Sequence, residues 1–136
     1  MTPRYHLDAN VVLRFLRDDD PQQSPASARL FAAARAGRMQ LLLSPVTVAE
    51  VFYVLVKVYR LSRSDAAGKL LPLIHGDVVE VEHRPRLADA LQRVAKANVD
   101  FGDGYLAAAA AERSTRIASF DDDLRVFADV TTEVPQ

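Results

Sequence analysis

Short runs with strand character alternate with helical runs along this chain, and that alternation constrains the fold more than any other feature. "RYHLD" reads as a first strand ending near Asp8, and "ANVVLRFLR" as a short helix stopped by the turn-forming "DDDPQQ". In "SPASARLFAAARAG" the spacing predicts a helix with Ser24 as N-cap, Pro25 at its first position and Gly37 closing it. "QLLL" is a short buried strand, and Ser44 and Pro45 repeat the same opening for a long helix, "SPVTVAEVFYVLVKVYR". Ser64 can cap "DAAGKLLPLI", which Pro72 must kink or end. There follow a strand "DVVEVE", an amphipathic helix "RPRLADALQRVAKAN" stopped at Asn98, and a small-residue helix "GDGYLAAAAAERS". A strand "RIASF", a short helix "DDDLRVF" and an edge strand in "DVTTEV" complete the chain. Strands joined through helices of this length need crossover connections, hence an α/β fold with a mainly parallel central sheet covered on both faces. The five alanines at 107–111 would let their helix pack closely. Neither a repeat nor a linker divides the sequence, so residues 1–136 are expected to form one domain.

One carboxylate interrupts the apolar helix. "TVAEVFYVLV" is hydrophobic nearly all the way round, the pattern of a helix buried on most sides, yet it carries Glu50. A buried unpaired carboxylate would cost several kcal/mol or more. Glu50 should therefore face either an arginine or a cation.

Strand placement favours the cation. In an open α/β sheet, ligands bind beyond the carboxyl ends of the strands. Asp8 closes the first strand, Asp121 follows "RIASF", Asp103 opens a helix, and Glu50 lies a turn or two into the helix after "QLLL". Asp8, Asp103 and Asp121 also read as helix N-caps. Asp18, Asp19 and Asp20 read as a solvated turn, and Asp122 and Asp123 as an exposed first helical turn. Carboxylates about 4 Å apart repel by roughly 4 kcal/mol at an effective dielectric of about 20. A shared rim thus calls for protons or a metal. With no cysteine and no histidine pair, the oxygen-only donor set suits Mg²⁺, with Mn²⁺ as the alternative.

Composition excludes several classes. The absence of cysteine removes disulfides, thiolate zinc sites and thiol nucleophiles. A formal net charge of −1 gives no global basic field, although the cations are mostly arginine. His6 shares a strand face with Asp8 and reads as a packing or surface residue, while His75 and His83 show no metal spacing. No signal-peptide layout or membrane-length apolar run is present, so a cytoplasmic protein without a membrane segment is expected.

Taken in order, "LDANVVLRFLRDDDP", "SPVTVAEVFYVL", "VDFGDGYLAAAA" and "IASFDDDL" resemble the PIN-domain ribonucleases, and among them the VapC-type toxins of bacterial toxin–antitoxin pairs. The resemblance implies a PIN-like α/β/α sandwich and Mg²⁺-dependent endoribonuclease activity. Asp8, Glu50, Asp103 and Asp121 match the family's catalytic and metal-binding acids. Asn10 and Ser119 match supporting polar positions, and Asp100 precedes Asp103 closely enough to join the site. Ala9 departs from the pattern, standing where many relatives carry Thr or Ser. Arg14, Lys57, Arg60 and Arg63 are candidate contacts to single-stranded or loop RNA, and equally a solvated helix surface. Tyr53 and Tyr59 could stack on bases or belong to the core or a dimer. A toxin of this kind also implies a cognate antitoxin laying an apolar helix in a groove, and a homodimer formed through the apolar helix of Glu50.

Alternative readings are a housekeeping RNA-processing nuclease of the same family and a non-catalytic metal-binding or receiver-like module. A receiver needs a lysine after its late strand, and none follows Lys96. A haloacid-dehalogenase-like phosphatase needs Asp-x-Asp where this chain has "DAN".

Overall fold

Parallel pairing runs through the whole computed structural model, which describes residues 1–136. β1 (Arg4–His6), β2 (Gln40–Leu43) and β3 (Val79–Val81) form one parallel sheet in the order β1-β2-β3. β4 (Ile117–Ala118) and β5 (Thr132–Glu133) form a second parallel pair, so the single expected sheet is divided. Only two residues of "RIASF" pair, because the chain turns away at Ser119 after a last bond from its N–H to Glu133 O. Six helices carry the crossovers: α1 (Ala9–Arg17), α2 (Gln23–Arg35), α3 (Pro45–Lys57), α4 (Arg63–His75), α5 (Arg84–Lys96) and α6 (Phe101–Arg113). A 3-10 helix, Asp122–Val126, lies between β4 and β5.

The caps differ in two places from those expected. α2 begins one residue before Ser24, because Asp20 Oδ1 accepts the N–H groups of Gln22 and Gln23 at 2.9 and 2.7 Å. Ser24 Oγ instead accepts the N–H of Asp20. Ser62, not Ser64, caps α4 by accepting the Asp65 N–H, and Pro72 is contained within that helix. Both Pro72 and Gly68, four residues earlier, are exposed, so the carbonyl left without its helical partner faces water. Nor is the aspartate turn merely solvated. Asp19 accepts from Tyr59 Oη at 2.8 Å and from Arg14 Nη1 at 3.0 Å, pinning α1 to the chain that leaves α3.

Thirty buried apolar residues form one core, with Leu41 and Leu43 of β2, Leu55 of α3, and Leu87 and Leu91 of α5 almost wholly enclosed. α6 reaches that core through small residues: Gly104, Ala107, Ala108 and Ala110 are all buried. At Gly104 the approach to α5 is closest. A Cβ there would meet Val94 Cγ1 at 2.6 Å and the Ala90 carbonyl at 3.1 Å. That contact fixes the first turn of α6, where Asp103 sits. Replacing Gly104 by Ala should cost roughly 1–3 kcal/mol through overpacking, only partly offset by better helix propensity. Gly68→Ala, at an exposed position where the Cβ meets nothing, should instead stabilise by about 0.5–1 kcal/mol. Thermal unfolding of both variants beside the wild type measures the contrast.

Candidate metal centre

Asp103, Asp121 and Asp123 each offer a carboxylate oxygen within 4.8 Å of the other two. Three local devices place them. Asp103 lies in the first turn of α6, half-buried, on the helix held by the Gly104 contact. Asp121 is the N-cap of the 3-10 helix, its Oδ1 accepting the Asp123 N–H at 2.9 Å. Ser119 Oγ accepts the Asp121 N–H at 2.9 Å and so fixes the loop from its other side. Asp121 thus acts as a cap and as part of the acidic group at once.

None of the three makes an ion pair, although half of the chain's arginines do. Burial raises the Asp103 carboxyl above its ordinary value, and the charges of Asp121, Asp123 and Asp100 push it the same way. Hard oxygen donors without an ion pair suit a divalent cation, which Asp103, Asp121 and Asp123 could hold.

Asp123 had been read as an exposed helical turn. Its spacing in "DDD" was the available signal: a 3-10 turn begun at Asp121 returns the residue two positions on to its capping carboxylate. Asp8 and Glu50 are not in the group of three. Asp8 caps α1, its Oδ2 accepting the Asn10 N–H at 3.2 Å. Asn10 Nδ2 donates to Gln23 Oε1, tying α1 to α2.

Glu50 is exposed, which corrects the expectation of a buried carboxylate. α3 buries Val48, Val51, Phe52 and Leu55 but leaves Val46, Glu50, Tyr53 and Lys57 on a solvent stripe. Exposure lets water solvate its charge, so it needs neither arginine nor metal, and no ion pair forms. Two contacts bracket it. Thr47 Oγ1 donates to the Leu7 carbonyl, beside Asp8, and the Phe52 ring lies 5.8 Å from that of Phe101, two residues before Asp103.

The cationic candidates divide. Arg14 is spent on Gln23, Asp19 and Tyr59, and Arg63 on Asn98 and Asp100, the latter at 2.7 Å. Lys57 and Arg60 are exposed and make no ion pair. Asp100 itself is clasped by Arg63 and stands outside the group of three, although its charge still acts on Asp103. The tyrosines separate too: Tyr59 is hydrogen-bonded to Asp19, whereas Tyr53 is 61% exposed.

The PIN domain family model matches residues 5–130. The chain is a PIN domain. No curated protein matches its sequence. PIN domains are generally metal-dependent nucleases that act on RNA, and an acidic group able to hold such a metal is present. No helix of this PIN domain is long and apolar enough to cross a membrane.

A raised carboxyl means that the folded, metal-free protein keeps the Asp103 proton to higher pH than the unfolded chain does. Its stability therefore declines as pH climbs through the interval above the ordinary aspartate value of about 3.9. Asp103→Asn should raise the melting temperature of the metal-free protein at neutral pH by about 2–4 °C. Millimolar Mg²⁺ should raise that of the wild type and leave the variant unmoved. Thermal scans with EDTA and with Mg²⁺ check both expectations.

Proposed function

We propose that this PIN domain is a Mg²⁺-dependent endoribonuclease and the toxin of a toxin–antitoxin pair. The observation that carries the nuclease reading is the convergence of Asp103, Asp121 and Asp123, none of them in an ion pair, in a fold whose members are generally nucleases. An anionic phosphodiester is repelled by such a group unless positive charge lies between them. A divalent cation there would neutralise phosphate oxygens and lower the pKa of a bound water.

The chain's own side chains then have distinct tasks. Asp103 and Asp121 would hold the cation as principal ligands, with Asp123 completing the group. Asp8, at the N-cap of α1, and Glu50, on α3, would act through water or orient the attacking water. Ser119 keeps the Asp121 loop in place. Lys57, one turn beyond Tyr53 on the solvent stripe of α3, and Arg60 are available to contact flanking phosphates.

Two surfaces support the finer parts of the reading. Phe15, Leu16, Phe31, Pro72, Leu73 and Val78 wall a groove of about 410 Å³, apolar in character and edged by Arg35, Lys69 and Asp77. An antitoxin helix with an apolar face suits it. Val46 and Tyr53 on α3 and Leu106 on α6 are large, apolar and exposed, and a second copy covering them would give a homodimer.

Purified protein with Mg²⁺ should cleave an unstructured oligoribonucleotide, and EDTA should stop it. Asp103→Asn and Asp8→Asn should each lower the rate by more than about 100-fold. A panel of RNAs left intact with Mg²⁺ or Mn²⁺ would refute the nuclease. Expression alone should arrest growth, and the neighbouring reading frame should restore it; unaffected growth would favour the housekeeping alternative.

A further inference from the structure

Phe120 is 80% exposed, yet the loop that carries it is held firmly. The Ser119 N–H donates to Glu133 O at 3.0 Å, Ser119 Oγ accepts from Asp121, and Asp121 accepts from Asp123. The ring makes no aromatic or cation–π contact and takes no part in the core. It forgoes the burial that ordinarily stabilises a phenylalanine. Its position adjoins the acidic group: Asp121 is the next residue, with Cα atoms about 3.8 Å apart.

We propose that Phe120 is a stacking platform for an unpaired base beside the phosphate received at the acidic group. The inference rests on the nuclease reading above and adds a substrate-positioning residue to it. The surroundings favour a base over a protein surface. Along the chain Phe120 is a lone ring between Ser119 and three consecutive aspartates. A protein interface needs broad apolar cover, whereas a base needs one π-face of its own size. A base is also uncharged, so the surrounding carboxylates do not repel it. In a duplex the base faces are already stacked, so a duplex would not engage the ring.

Steady-state cleavage of a short unstructured oligoribonucleotide tests this with Phe120→Ala, Phe120→Leu and Phe120→Trp. Ala and Leu should raise KM roughly 5- to 150-fold with kcat little changed, and Trp should restore it. Unchanged melting temperatures would confirm that the exposed substitutions leave the fold intact. In rapid mixing with Mg²⁺, the same oligoribonucleotide should quench Phe120→Trp fluorescence before cleavage, and its duplex should not. An unchanged KM in Phe120→Ala, or rescue by Leu equal to Trp, would overturn the platform while leaving the nuclease intact. Quenching without cleavage by any form would keep the platform and remove the nuclease; neither quenching nor cleavage would remove both. Weakened antitoxin binding by Phe120→Ala, with KM unmoved, would assign the ring to a protein contact and overturn the proposal.

Discussion

Parallel pairing is the constraint from which the site follows. β1, β2 and β3 run the same way, as do β4 and β5, and every connection between neighbours must cross over through a helix. Asp8 and Ser44 therefore leave the same end of the first sheet, and the α3 helix that begins there returns through Thr47 to the Leu7 carbonyl. One hydroxyl thus couples the exit of β1 to the first turn of α3. At the other side, Ile117 and Ala118 end their short pairing in a loop whose hydrogen bonds are almost all made by its own acids and Ser119.

α6 supplies the third side, and packing sets it there. Its buried face is glycine and alanine, so the axis can approach α5 more closely than larger residues would allow. Close approach restrains the helix backbone that carries Asp103 beside Asp121 and Asp123. Burial adds to the repulsion among these acids by withholding solvent from Asp103. A cation at the group would offset that repulsion, so the packing of α6 bears on how readily the acids could take one.

Periodicity and composition carried the fold well because the alternation of strand and helix is a property of long stretches. The limits of individual caps depend on single side chains, and there competition decided. Asp20 offered a carboxylate to two N–H groups where Ser24 offered one hydroxyl, and Ser62 immediately precedes α4 whereas Ser64 already lies within its first turn. Asp103 and Asp121 were recognisable from their places after strand and loop. Asp123 was hidden in a run of three aspartates, because only a 3-10 turn distinguishes it from its neighbours. Glu50 exposes the weakness of reading burial from hydropathy: the helix is apolar all round, but Val46, Tyr53 and Lys57 show that one side has no cover within this chain.

The arginines make a related point about charge. Abundant guanidinium groups would read as a nucleic-acid surface, yet most are committed internally. Arg93 reaches both oxygens of Asp129, at 2.9 and 2.6 Å, while lying over Phe127, and so ties the chain after the 3-10 helix to α5. Arg84 donates to the carbonyls of Ile74, Gly76 and Val79, closing the end of α4 onto β3. Asp129 is held below its ordinary value by the Arg93 contact, so that tie persists at neutral pH and loosens only as acid protonates the carboxylate. An arginine occupied in this way cannot also neutralise phosphate without breaking its bond. Of the cations near the end of α3, Lys57 and Arg60 remain free for a polyanion, whereas the acidic group repels one. At the acidic group itself no cationic side chain offsets the three carboxylates by an ion pair, so a phosphate there would need positive charge from outside the chain.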